Sequence, residues 1–218
     1  MNRKFLLGDI LFFVVLPLAI WNYGRDMIGD YYAMLLSTIP GLVYSAIRLA
    51  LTKRINSYGI YVVITLAVSF IINILSPSAE AILWNSKVWF NSTTALIILG
   101  TIAIRKPLFL YFAIDFAEAA GYSREQSNIA FRQKGIFYIF VLVTLAFVVQ
   151  DLLYAAVTAF YLFHKGVEGY NELVLFRTIL GWALSGIIFI SIYAVSYKLN
   201  KQREAYERSL EEEKDVVH

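Results

Sequence analysis

The chain has 218 residues, of which 59% are hydrophobic and 16% charged, with a net charge of +3 and no cysteine. A soluble domain carries about 25% charged residues, so the 19 basic and 16 acidic side chains are too few to cover a water-facing surface. The composition excludes a soluble globular domain, a disordered chain and a disulfide scaffold, and it predicts a membrane protein.

Apolar runs of membrane-spanning length recur along the chain, since a hydrocarbon core about 30 Å thick needs about 20 helical residues. They are residues 5–21, 31–51, 58–75, 88–104, 136–163 and 173–197. The first run follows two basic residues but has no signal-peptide cleavage site, so we expect a retained helix. Strand-like alternation is absent. We predict an all-α polytopic membrane protein, with a six-transmembrane-helix bundle in residues 1–197 and a charged cytoplasmic tail in 198–218.

The distribution of basic residues predicts the orientation of this bundle. With six spans both termini lie on one side of the membrane, and the opposite side receives only Arg25, Lys87, Lys165 and Arg177 of the 19 basic residues. The positive-inside rule then places both termini in the cytoplasm. Trp21 falls at the outer end of the first span, where an interfacial aromatic belt is expected, whereas Trp182 lies deeper and is expected to pack against a neighbouring helix.

The connection between the fourth and fifth spans is long enough to hold a helix of its own. Pro107 can begin a helix at its first turn, and Gly121 can end it, so we predict an amphipathic interfacial helix over residues 107–120. Its polar stripe consists of Tyr111, Asp115, Glu118 and Tyr122. The stripe is either a cytoplasmic gate or cation site, or simply a solvated face.

After this helix, Ser123 and Gln126 form a capping-box pattern. The pattern predicts a further helix that starts at Ser123 and runs without interruption into the fifth span. Residues 76–87, which contain Pro77, are expected to form the connection that precedes the fourth span.

Ionisable residues within spans are costly and are therefore candidates for function. Asp9 and Arg48 lie at similar depths near the cytoplasmic side, where they can form an ion pair; alternatively, Arg48 extends toward lipid phosphates. Asp151 lies deep in the fifth span, and the outer-side cations Lys87 and Arg177 can reach it. These three residues form either a proton- or anion-responsive site, the candidate substrate or ion site, or a buried ion pair that fixes helix register.

Several short motifs resemble the uncharacterised six-helix bacterial inner-membrane proteins related to intracellular septation protein A. They are Asp9 and Pro17 in the first helix, Lys87 at the fourth, the turn at residues 106–108, and the Phe-Arg pair at residues 131–132. The resemblance implies a multi-pass protein of the bacterial plasma membrane with a role in envelope maintenance. The charged tail and the interfacial helix depart from the shorter septation-type pattern.

The sequence carries no nucleophile–base constellation, phosphate-binding loop or metal-ligand motif, so we expect no enzyme, no cofactor and no metal. Two functions remain open. The first is a small-solute or ion transporter or channel with a buried polar site. The second is a non-transporting envelope-maintenance or scaffold protein whose buried charges are structural. The expected partners are the lipid bilayer, a small solute, ion or lipid, and a protein bound through the C-terminal tail, but not nucleic acid.

Overall fold

The computed structural model describes residues 8, 10–52 and 57–217, and this part of the chain is helical with no β-strand. The all-α prediction is therefore confirmed. The apolar runs form helices because each satisfies its backbone hydrogen bonds internally and carries few helix-breaking residues. Eight helices, α1–α8, follow each other along the described chain. The first two, α1 (residues 11–28) and α2 (residues 30–52), are arms of one helical stretch that opens with a π-helical segment, Leu11–Val15, and continues through Leu16–Thr52.

This first stretch folds back on itself at Gly29, whose φ of 79° and ψ of 161° are not helical. The ring of Phe13 lies against Gly41, although 28 residues of straight helix would separate them by about 42 Å. Phe12 also stacks on Tyr44, with 4.8 Å between ring centroids. α1 and α2 are therefore an antiparallel hairpin, and its turn needs a residue that tolerates positive φ.

The next two helices are α3 (Ser57–Leu75) and α4 (Ala79–Ala103). α4 begins earlier than the sequence predicts, because Ser78 caps it by accepting a hydrogen bond from the Ala81 N–H at 3.1 Å. Residues 79–87, expected in a connection, are thus helical. Within α4 the segment Leu83–Trp89 is π-helical, a local widening that is frequent at functional sites.

The predicted interfacial helix forms α5 (Leu108–Ala119), bent by 79° from α4. It ends as expected at Gly121, which has a φ of 97°. α6 (Arg124–Phe131) follows, but two details differ from the sequence prediction. Ser123 makes no side-chain capping bond, and α6 ends at a break before the next helix rather than running into it.

The last two helices, α7 (Lys134–Lys165) and α8 (Tyr170–Val217), are joined by the short 3-10 helix Gly166–Gly169. The Lys198 ammonium donates to the Gly135 carbonyl at 2.7 Å, although the two residues are 63 positions apart. The chain therefore reverses at Gly166, and α7 and α8 are a second antiparallel hairpin. α8 continues beyond the hairpin into the charged tail.

Two continuous stretches, Leu11–Ile47 and Lys134–Ala205, are long and apolar enough to cross a membrane, and the bent pair α4–α5 makes a third if it counts as one span. Many large apolar side chains on these helices are exposed, as a lipid-facing surface requires. Two tryptophans differ from expectation. Trp21 is 1% exposed, in a core with Met34 and Tyr170, whereas Trp182 is 54% exposed.

Candidate functional site

Lys87 lies inside the protein, on the π-helical segment of α4. It follows the Ser78 cap by nine residues, or about 13 Å of helix, so it lies within α4 and not at the start of a helix as the sequence predicts. The residue is only 9% exposed. Among the residues that the structure describes, the Lys87 ammonium has no hydrogen-bond acceptor and no ion-pair partner. A lysine with so little exposure and no partner is unusual, and this makes Lys87 the centre of the candidate site.

Arg177 of α8 faces Tyr154 of α7 across the second hairpin. Its guanidinium carbon lies 5.3 Å from the centroid of the Tyr154 ring, within the range of a cation–π contact. Each residue is about one dozen positions from the turn at Gly166, so the antiparallel register brings them to one level. The pair fixes where the positive charge of α8 lies against α7.

Arg177 links the three residues that the sequence groups into a candidate site. It interacts electrostatically with both Lys87 and Asp151. Asp151, three residues before Tyr154 on α7, is partly buried, and in the described part of the chain no cation lies within 4.0 Å of its carboxylate. The direct buried ion pair of Asp151 with Lys87 or Arg177 is therefore not formed in the described chain, and the grouping of the three residues stays a prediction.

Four buried side-chain polar atoms of the described residues have no hydrogen bond, and sequence reasoning missed them. They are Asn73 Oδ1 of α3, Ser86 Oγ of α4, Gln150 Oε1 of α7 and Asn171 Oδ1 of α8. Ser86 and Gln150 directly adjoin Lys87 and Asp151 in the chain. A buried polar atom without a partner is unusual and calls for an explanation such as a ligand. Nothing in the sequence distinguishes these residues from ordinary helix-interior polar residues.

Two threonines on the same helix do not contribute to the site. Thr158 donates to the Tyr154 carbonyl at 2.7 Å. Thr144 donates to the Phe140 carbonyl at 2.7 Å and accepts from the Phe109 N–H at 3.3 Å. Both hydroxyls are fully buried and satisfied, so they hold helices in place.

The interfacial stripe contains one buried group instead of a continuous solvated face. Asp115 is 4% exposed and accepts from the Ser57 N–H at the start of α3 and from Arg124 Nη1 at 2.8 Å. The same Arg124 nitrogen contacts Glu118 at 2.7 Å. Burial alone raises the pKa of Asp115, but the hydrogen bonds from Ser57 and Arg124 outweigh it and lower that pKa.

The other two residues of the stripe lie closer to solvent. The Tyr111 hydroxyl is 3.4 Å from Arg132 Nη2, and Tyr122 is exposed beyond the end of α5. Asp115 therefore ties α5 to α3 and α6, and its coordination by the protein itself leaves no open cation site there.

The predicted pair of Asp9 and Arg48 stays a prediction. Asp9 lies outside the described residues, and so does the side chain of Arg48. Asp9 is also part of the resemblance to the septation-related family, so that part of the resemblance lies outside the described residues as well.

A network of charges that the sequence does not reveal joins the turns of the two hairpins. Arg25 bonds Glu168 through Nη1 at 2.6 Å and Nη2 at 2.5 Å, and its Nε contacts Asp30 at 3.1 Å. Its guanidinium also lies 4.8 Å from the Trp21 ring. The hydrogen bond to Arg25 lowers the pKa of Glu168. Loops 143 residues apart meet here, so no local pattern could have predicted the contact.

The chain matches no family model, no curated protein and no solved structure.

Proposed function

We propose that the protein is a multi-pass membrane protein with six crossings. Two of its long apolar stretches are hairpins, each able to cross and return, and these would contribute four crossings. α3 and α4 would contribute the other two. A helix of 19 residues such as α3 is about 28 Å long, close to the thickness of the hydrocarbon core.

The orientation follows from the same arrangement. The turn at Gly29, the loop before Ala79 and the turn at Gly166 would share one side, with few basic residues. The opposite side would carry both termini, α5 and α6. The positive-inside rule favours that opposite side as the cytoplasmic one, and the resemblance to septation-related proteins supports a location in the bacterial plasma membrane.

Because the chain has no cysteine, single introduced cysteines test this topology cleanly. Met27→Cys and Glu80→Cys should react with a membrane-impermeant maleimide added to intact cells. Tyr122→Cys and Glu125→Cys should react only after the membrane is permeabilised. Labelling of all four sites from outside, or of none, would contradict the six-crossing topology.

For the function itself, we infer a small-solute or ion transporter or channel. The observation that carries this inference is Lys87, a lysine that is only 9% exposed and has no partner among the described residues of an apolar helical protein. Ionisable groups within a membrane are expensive and mark solute or ion pathways. The nearby Arg177 and Asp151 supply further charges, and the π-helical segment supplies a local irregularity of the kind that accompanies binding sites.

The alternative is a scaffold or envelope-maintenance protein that moves no solute. The network of Arg25, Asp30 and Glu168 favours it, since this network is fully paired and joins the two hairpins without leaving a free group. In that case the long, charged α8 would dock a protein partner through residues 198–217.

Reconstitution into proteoliposomes distinguishes the two functions. A transporter should carry members of a panel of small ions and neutral solutes. Asp151→Asn and Lys87→Met should reduce the flux at least tenfold, and both variants should unfold at nearly the same temperature as the wild type. Lys106→Met, an exposed lysine, is the matched control. If no solute in the panel moves faster than in empty liposomes, while deletion of residues 198–218 releases a bound protein, the scaffold function stands instead.

A further inference from the structure

We propose that the end of the α7–α8 hairpin that carries Lys134, Lys198 and Lys201 binds the headgroup of an anionic phospholipid from the surrounding bilayer. The lysines would contact the lipid phosphate, and the exposed Tyr138 and Tyr197 would lie beside its glycerol esters. Lipid binding goes beyond transport or scaffolding, but it takes its membrane setting from the six-crossing topology proposed above.

A hydrogen bond between the two helices brings the lysines together. The Lys198 ammonium donates to the Gly135 carbonyl at 2.7 Å, and Gly135 directly follows Lys134 at the start of α7. Lys201 follows Lys198 by three positions on α8, and residues three apart are neighbours on the surface of a helix. The three lysines therefore belong to one end of the hairpin.

The positive charge at this end has no acidic partner. Lys134, Lys198 and Lys201 form no ion pair within the part of the chain that the structure describes. The first acidic residue after Lys201 on α8 is Glu204, and its carboxylate contacts Arg208 at 3.7 Å instead. All three lysines are exposed, so their charge is open to a ligand. Lysine clusters at a membrane surface attract anionic lipid headgroups.

The two tyrosines lie on the side of the hairpin that faces away from the rest of the protein. Ile136 and Phe140 of α7 and Val195 of α8 belong to one buried cluster, which marks the side that the protein covers. Tyr138 of α7 is 57% exposed and Tyr197 of α8 is 60% exposed, so both face away from that cluster. The two rings are therefore open to the same lipid layer.

The polarity of the exposed residues changes with depth as the polarity of a phospholipid does. On α7, Lys134, Tyr138 and Leu142 are exposed and follow each other at four-residue steps, or about 6 Å of helix each. On α8 the same order runs in the opposite direction along the chain, from Lys201 through a tyrosine at each of the next two steps to Phe189. Cations, phenols and apolar side chains thus match phosphate, esters and acyl chains, and tyrosine favours the headgroup level.

The test uses the full chain, purified in dodecyl maltoside. Dioleoyl phosphatidylglycerol is titrated in mixed micelles against dioleoyl phosphatidylcholine, while native mass spectrometry counts bound lipid and thermal unfolding is followed in parallel. We expect saturable binding of phosphatidylglycerol, at least tenfold tighter than that of phosphatidylcholine, and an affinity that falls as salt is raised. Glycerol 3-phosphate, which lacks acyl chains, should bind at least tenfold more weakly than phosphatidylglycerol.

Variants separate this site from the general positive charge of the protein. Lys134→Gln and Lys201→Gln each remove one charge but keep the hydrogen bond from Lys198 to Gly135. Each should weaken phosphatidylglycerol binding about fivefold, and the double variant should weaken it more than tenfold. Lys201→Arg should retain binding. Lys106→Gln, at an exposed lysine beyond the end of α4, is the matched control and should bind like the wild type.

Some results would overturn the lipid site. They are equal affinity for the two phospholipids, unchanged phosphatidylglycerol binding by the double variant, and an equal loss in Lys106→Gln. Glycerol 3-phosphate binding as tightly as phosphatidylglycerol would also overturn it, since it would indicate a site for free phosphate. The proposed function fails separately. Selective lipid binding by a chain that carries no solute would leave the site in place and remove transport, and cysteine labelling tests the topology independently.

Discussion

Arg25 and Glu168, 143 residues apart in the chain, form a bidentate ion pair with N–O distances of 2.6 and 2.5 Å. Arg25 stands beside the turn of the first hairpin and Glu168 within the turn of the second. The planar guanidinium also contacts Asp30 and the ring of Trp21. One side chain therefore joins the two hairpins at their turns.

Arg25→Lys should lower the unfolding temperature, even though the positive charge is retained. Lysine cannot bond both oxygens of Glu168 and contact Asp30 at the same time. Glu168 is exposed, so the loss should be modest and should shrink in about 1 M salt, where charges are screened beyond about 3 Å. Thermal unfolding in detergent at low and high salt measures it, and an effect independent of salt would argue against an ion-pair origin.

Thr144→Val should destabilise the protein by about 1–3 kcal/mol, the cost of leaving a buried polar group without a partner. Thr144 accepts from the Phe109 N–H, one of the N–H groups in the first turn of α5 that has no carbonyl within its own helix. Valine matches the shape of threonine but offers no acceptor.

The matched control is Thr144→Ser, which keeps the hydroxyl and should cost less than Thr144→Val. Denaturant unfolding of the purified variants compares them. Equal losses in both variants would mean that the methyl group, rather than the hydrogen bond, stabilises this contact.

Gly169→Ala should destabilise the second hairpin by about 1–3 kcal/mol through overpacking. An added Cβ would lie 2.5 Å from Cδ1 of Tyr161, closer than carbon atoms approach each other. At Gly181, also helical, an added Cβ has nothing within 4 Å. Gly181→Ala should be neutral or stabilise by up to about 1 kcal/mol, since alanine favours the helix. The unfolding temperature of Gly169→Ala should therefore fall, and that of Gly181→Ala should stay the same or rise.

Acid should weaken the junction of α3, α5 and α6 through Asp115. Its folded-state pKa is lowered by hydrogen bonds from Ser57 and Arg124 against the opposing effect of burial. The stabilisation is therefore complete above the ordinary aspartate pKa of about 3.9, and it is lost as the pH falls through the lowered folded value.

Asp115→Asn should remove this pH dependence and cost about 1.5–3 kcal/mol at neutral pH, the range for hydrogen bonds to charged groups. Urea unfolding at pH 7 and across the acid range measures both effects. If the variant and the wild type lose stability in parallel as the pH falls, Asp115 is not the titrating group. Glu118→Gln, on the exposed side of the same Arg124 contact, is the matched control and should lose much less.

The apolar runs, and the proline and glycine residues that bound them, predicted the helices because these features act locally. Pro107 and Gly121 bound α5 as expected, since each acts on its own backbone. The predicted start of α4 was wrong. Residues 79–87 mix polar and aromatic residues, so they do not read as an apolar run, although they form a helix capped by Ser78. That error placed Lys87 at the start of a helix, whereas it lies within α4 and is 9% exposed.

Long-range packing set the limits of prediction for the site. Trp21 follows the sequence rule for an interfacial aromatic, yet it is buried because Tyr170 and Met34, from distant segments, cover it. Asp115 lies on a periodic polar stripe, yet its carboxylate accepts a hydrogen bond from the Ser57 N–H of another helix. The grouping of Asp151, Arg177 and Lys87 as one functional site remains a prediction, although Arg177 interacts electrostatically with both of the others.

The length of α8 has a mechanical consequence. Tyr170–Val217 is one helix of 48 residues, about 72 Å long, and it contains no proline. Arg177 lies near the N-terminal end of α8, and the acidic tail lies at its C-terminal end. The hydrogen bond from Lys198 to Gly135 marks the point beyond which α7 no longer runs beside α8. Because no proline interrupts α8, the charged tail and the Arg177–Tyr154 contact belong to one continuous helix. A force on the tail would therefore act on the same helix that holds Arg177.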